Sequence, residues 1–133
     1  MVLYSFDNST ALHYAVIADK FRAVEFLINK CPELIDCTNN FGETAAAGAV
    51  ILGNTKILKF LLQKGAQITA DNSDRINIMV CASWNFKKAE DSVKEIIDFC
   101  GKEKLKEVCV VFIIYRSLSF VTAVFVRFIV GVL

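Results

Sequence analysis

Three stretches of the sequence carry residue types that could do chemistry. Gly48-Ala49-Val50-Ile51-Leu52-Gly53-Asn54-Thr55 has the glycine spacing of a phosphate-cradling loop, but Asn54 stands where the phosphate-neutralising Lys is required. The lone His13 has no Ser, Cys or carboxylate at a spacing that would make it the base of a nucleophile. Asp91, Glu95 and Asp98 could share a helix face as an acid/base set, yet Lys94 sits among them, as on an ordinary solvated helix. The five Cys, at 31, 37, 81, 100 and 109, form no C-x-x-C pair and lie far from His13, so their spacing builds no zinc site. They read as small buried hydrophobes kept reduced in the cytosol. No enzyme, cofactor or metal is expected.

Composition narrows the remaining functions. The 133 residues suit one domain with a true core, and 15 basic against 14 acidic side chains give no footprint for nucleic-acid phosphates. Met1 to Asp7 has no basic region or long apolar run, so no secretory signal is read there, and the sequon Asn8-Ser9-Thr10 is expected to be idle. The 55% hydrophobic content is uneven: the stretch 108–133 is predominantly apolar, whereas the stretch 1–107 is close to the soluble norm.

The elements that would position any functional residue repeat. Thr10-Ala11-Leu12-His13-Tyr14-Ala15 returns one period later as Thr44-Ala45-Ala46-Ala47-Gly48-Ala49, and more weakly as Asn77-Ile78-Met79-Val80-Cys81-Ala82. Ala23–Lys30 returns at the same offset as Ile57–Lys64, and a third copy, Val93–Cys100, arrives slightly late. Each period reads as two short helices. Thr10 and Thr44 are candidate N-caps, and the Ala-rich first helix lets a neighbour approach closely. The second helix carries an apolar stripe, Val24, Phe26 and Leu27, repeated as Leu58, Phe60 and Leu61. Asn40-Phe41-Gly42-Glu43 and Asp71-Asn72-Ser73-Asp74 carry turn chemistry between units. A single helix pair cannot bury its apolar faces, whereas stacked copies can, so the expected fold is an all-α solenoid.

With these motifs in place the sequence resembles an ankyrin-repeat protein. Thr10–Ala15 is close to the family's T-P-L-H-x-A, with Ala11 for Pro. Gly42-Glu43-Thr44 is similar to its G-x-T turn, Gly53 to its inter-helix Gly, and Leu61–Ala66 to its L-L-x-x-G-A. The resemblance implies units at about 5–38, 39–71 and 72–104 within a domain of residues 1–107, the third unit degenerate and placed as a polar cap. Ala47 replaces the family His in unit two, and Asn8 takes the turn Gly position of unit one, which Asn tolerates because it enters left-handed backbone readily. Residues 1–6 read as the end of a preceding unit.

The resemblance also implies a non-enzymatic, cytoplasmic module that binds another protein through turn tips and first-helix ends. By position these are Phe6, Asp7 and Ile17; then Asn40, Phe41, Glu43, Ile51 and Leu52; then Ser73, Asp74, Ile76 and Trp84. The surface is unusually apolar, which suits a binding patch; packing of the same side chains between units or under the tail is the other reading.

The tail Val108–Leu133 stays open to three readings. As a span, 12 Leu, Ile, Phe or Val residues in Phe112–Val130 favour insertion by about 5 kcal/mol, and Arg116 and Arg127 oppose it by a similar amount. The tail could instead pack on the repeats, or be no part of the functional protein. The alternative function follows from the first reading: the cytosolic ankyrin portion of a membrane protein of channel or transferase type cut at its first span, or a tail-anchored adaptor.

Overall fold

The computed structural model describes residues 7–67, 91, 92, 94–99 and 101. Among them every regular element is helical and none is a strand. In chain order these are α1 (Ala11–Ile17), α2 (Phe21–Lys30), a 3₁₀ turn (Pro32–Leu34), α3 (Ala45–Leu52) and α4 (Thr55–Gln63). Residues 91, 92, 94–99 and 101 are helical as well.

In unit two both helices begin where the sequence supplies an acceptor for the free N–H groups of a first turn. Thr44 leaves extended backbone, and its Oγ1 accepts from the Ala47 N–H at 3.2 Å. Asn54 caps α4 by accepting from the Ile57 N–H, also at 3.2 Å. The turn between paired helices needs left-handed backbone. Gly53 supplies it in unit two at φ 69°, and Asp19, one period earlier, supplies it in unit one at φ 53°. Asn8 and Gly42 are matched likewise, at φ 59° and 75°, so the expectation for Asn8 holds. Asp and Asn reach this region because a short polar side chain can bond locally.

Two layers result. α1 and α3 pack side by side, with α2 behind α1 and α4 behind α3. The Ala face of α3 makes the close approach: Ala45, Ala46, Ala47 and Ala49 are buried with Val50. At Gly48 an added Cβ would lie 3.8 Å from the Val16 side chain, an ordinary contact distance, so α1 and α3 meet closely there. The core continues through Leu12, Val16, Val24, Ile57, Leu58, Leu61 and Leu62, and Ile96 and Ile97 of the later helical residues join it. Each fully buried aliphatic side chain contributes about 1.5–3 kcal/mol. Behind the core, the rings of Phe21 and Phe60 meet edge-on at 5.3 Å, with the Lys56 ammonium 4.4 Å above Phe21.

Two expectations need correction. Phe26 is not part of the buried stripe of α2; it is 61% exposed, and Val24 and Ile28 bury that helix instead. Phe60, its counterpart in unit two, has Phe21 of unit one to lean on. Cys31 and Cys37 are half-buried against the core edge rather than inside it, and the two are not joined in a disulfide. Cys81, Cys100 and Cys109 lie outside the described residues, as do the first helix expected for the third unit and the tail Val108–Leu133. No helix among the described residues is long and apolar enough to cross a membrane.

Candidate protein-interaction surface

The turn that opens unit two is built from Asx chemistry. The Asn39 side-chain oxygen accepts from the N–H groups of Phe41 and Glu43, both at 3.0 Å, and its Nδ2 donates to the Glu43 carboxylate at 3.0 Å. Gly42 closes the turn at positive φ, its N–H donating to the Asn39 carbonyl at 3.0 Å. Phe41 is therefore presented to solvent, 64% exposed, on a backbone held by its own N–H. An aromatic side chain on a pinned turn loses little freedom on binding.

Consecutive turns are stitched together. The Asn40 N–H donates to the Asp7 carbonyl at 2.8 Å, and Asn8 Nδ2 donates to the Asn40 side chain at 2.9 Å. Behind them His13 spans the units. Its Nδ1 lies 3.0 Å from the Thr10 N–H and 2.9 Å from the Thr10 hydroxyl, while Nε2 lies 2.9 Å from the Glu43 carbonyl. A carbonyl can only accept, so the network assigns the hydrogen to Nε2 and leaves Nδ1 as the acceptor. Nδ1 fixes the ring within unit one, and Nε2 ties it to the opening turn of unit two. His13 is a structural staple, as its place in the repeat motif implies.

The stretch from Gly48 to Thr55 is likewise explained without a ligand. Gly48 lies inside α3, Gly53 is its left-handed C-cap, and Asn54 caps α4 while its Nδ2 donates to the Asp19 carboxylate. On the later helical residues, Lys94 pairs with Asp91 at 3.6 Å and Glu95 with Lys59 of α4 at 3.7 Å. Asp91 and Glu95 thus lie in ion pairs on a helix surface.

The structure brings four of the expected contact residues into one groove. Ile17, Glu43, Ile51 and Leu52 line a shallow cleft of about 210 Å³ between α1 and α3, floored by Val16, Ala45 and Gly48. Ile17 is 61% and Leu52 42% exposed; Ile51 is half-buried. Phe41 and Asn40 stand exposed on the turn beside this groove without lining it, and Asp7 is half-buried, accepting from the Ser9 N–H and hydroxyl. Phe6, Ser73, Asp74, Ile76 and Trp84 lie outside the described residues. One exposed aromatic was missed by position: Tyr14, 48% exposed, one turn before Ile17 on α1. Its i, i+3 spacing to Ile17 was the available signal.

Comparison with known proteins agrees with this architecture. No curated protein matches the chain. A family model described as ankyrin repeats, three copies, matches residues 2–72, more than half of the chain, and takes in both well-formed helix pairs. Proteins built this way are in general protein–protein interaction modules and typically not enzymes. With its paired helices, its repeating register and its T-x-L-H-x-A segment at Thr10–Ala15, the chain belongs to the ankyrin-repeat family.

Proposed function

We propose that this chain is a cytoplasmic, non-enzymatic module that captures a partner protein on the turn tips and the α1/α3 groove. One observation carries the reading: Ile17, Leu52 and Phe41 are large apolar side chains left in water on a surface whose turn backbone is pinned by hydrogen bonds. Grouped exposure of this kind is characteristic of binding sites, and aromatic residues are favoured at their energetic centres. Phe6, Asp74 and Trp84 extend the same surface by sequence position alone. The test is to replace Phe41, Leu52 and Trp84 by Ser and compare the proteins retained by the variant and the wild-type chain. A well-folded variant that loses the retained partner supports the reading; one that keeps it overturns it.

The second reading rests on the composition of Val108–Leu133, whose predominantly apolar side chains suit a bilayer. The repeats would then serve as the cytosolic part of a membrane-bound protein, or of a tail-anchored adaptor. Fractionation of cells expressing the full chain separates the two: recovery in alkali-resistant membranes supports the membrane reading, and recovery in the soluble fraction removes it.

A further inference from the structure

The charges of the two helical layers are segregated. The turn and first-helix segments 7–19 and 39–54 contain Asp7, Asp19 and Glu43 and no Lys or Arg. The second-helix segments 20–30 and 55–64 contain Lys20, Arg22, Lys30, Lys56, Lys59 and Lys64 against the single acid Glu25. Among the described residues the apolar groove thus lies in segments whose charged side chains are all acidic, with a carboxylate towards each end of it. Glu43 lines its turn end. Asp19 lies past the other end, outside the lining, two residues after Ile17 and bonded to Asn54, two residues after Leu52. Among the described residues both carboxylates bond to Asn side chains, and neither is in an ion pair.

We infer that the groove takes an extended segment of a separate partner protein in which branched aliphatic side chains lie between two basic residues. This rests on the proposed role of the groove and specifies its partner. The groove's volume, about 210 Å³, is below the ~300–1,000 Å³ of a typical small-molecule site, and its walls, Ile17, Ile51 and Leu52, suit aliphatic side chains. Complementary charge at the rim supplies orientation and faster encounter. The two carboxylates flank α3, whose eight residues rise about 12 Å, so an extended segment needs at least about four residues to pass from one to the other. Lys or Arg residues at least about four positions apart, with Leu, Ile or Val between them, meet Glu43 and Asp19 together.

The experiment is selection of random dodecapeptides displayed on phage against the immobilised full chain, followed by affinity measurement with the enriched peptides. The expected peptides carry the basic–aliphatic–basic pattern, and their binding weakens as salt rises. Glu43→Gln and Asp19→Asn keep the acceptors used by Asn39 and Asn54, and Asn tolerates left-handed backbone, so both variants fold. Each weakens binding about twofold to fivefold, the range of a single exposed ion pair. Leu52→Ser and Ile17→Ser, folded by melting curves, abolish it. Peptides that are neutral or acidic, or indifferent to Glu43→Gln and Asp19→Asn but still lost with Leu52→Ser, overturn the charge inference and leave the groove standing as a site. Peptides indifferent to Leu52→Ser and Ile17→Ser overturn both, as does failure to enrich any peptide. Enrichment only after Arg116→Glu and Arg127→Glu gives the groove to the chain's own tail and overturns a separate partner.

Discussion

Units one and two share a register but solve the start of their first helix differently. In unit one, Thr10 and His13 bond to each other, and the imidazole reaches on to the Glu43 carbonyl of the next turn. In unit two, Ala47 stands where His13 stood, and Thr44 caps the Ala47 N–H directly. One unit is stapled forward by a polar side chain. The other supplies a buried Ala face, against which a neighbour can close with little side-chain entropy to lose. The same backbone is thus held by directional bonds at one position and by close packing at the next. Helix capping and inter-unit stapling are separable tasks, which His13 combines and unit two divides.

The comparison can be broken most forcefully in the second helices. Leu61 is fully buried and Leu27, in the same register, only half-buried. Leu61→Ala should cost about 2–5 kcal/mol in urea unfolding, and Leu27→Ala clearly less. Equal losses would mean that unit two is not the better packed. Next in size is His13→Ala, expected to cost about 1–3 kcal/mol because the buried Thr10 N–H loses its acceptor and the Glu43 carbonyl a donor. Thr44→Ala removes only one cap bond and should cost about 1 kcal/mol by the same measurement. A Thr44 variant less stable than the His13 variant would reverse the assignment of the staple. Smallest is Phe41→Ser: exposed and outside the core, it should change stability by less than about 0.5 kcal/mol, leaving any binding defect attributable to the lost side chain.

Much of this was readable in the sequence because short-range chemistry decides it. Turn, cap and left-handed positions depend on residue type within a few positions, so Thr44, Asn8 and Gly53 followed from the register and the family motif, whereas the bond from His13 to the Glu43 carbonyl spans 30 residues and did not. Asp19 was legible by the same logic, lying one period before Gly53, but its side chain gave no cue as strong as glycine. Exposure was harder. Phe26 and Phe60 have the same place in their helices, but Phe60 is half-buried, with Phe21 of the preceding unit edge-on to its ring and Lys64 over it. The α1/α3 groove likewise is lined by residues of both units, from Val16 and Ile17 to Ile51 and Leu52, and is a property of the pair and of neither alone. The charge segregation was present in the residue order throughout, but it has meaning only once the two layers are known.

The central claim is that binding occupies the turns and first helices and spares the second. Hydrogen exchange read by mass spectrometry, on the full chain with and without a captured partner, tests it most directly. The account predicts slowed exchange in peptides covering 39–44, and at the ends of the first helices around Ile17 and Leu52, with α2 and α4 unchanged. Protection confined to Phe21–Lys30 and Thr55–Gln63, with the turns exchanging as before, would contradict it.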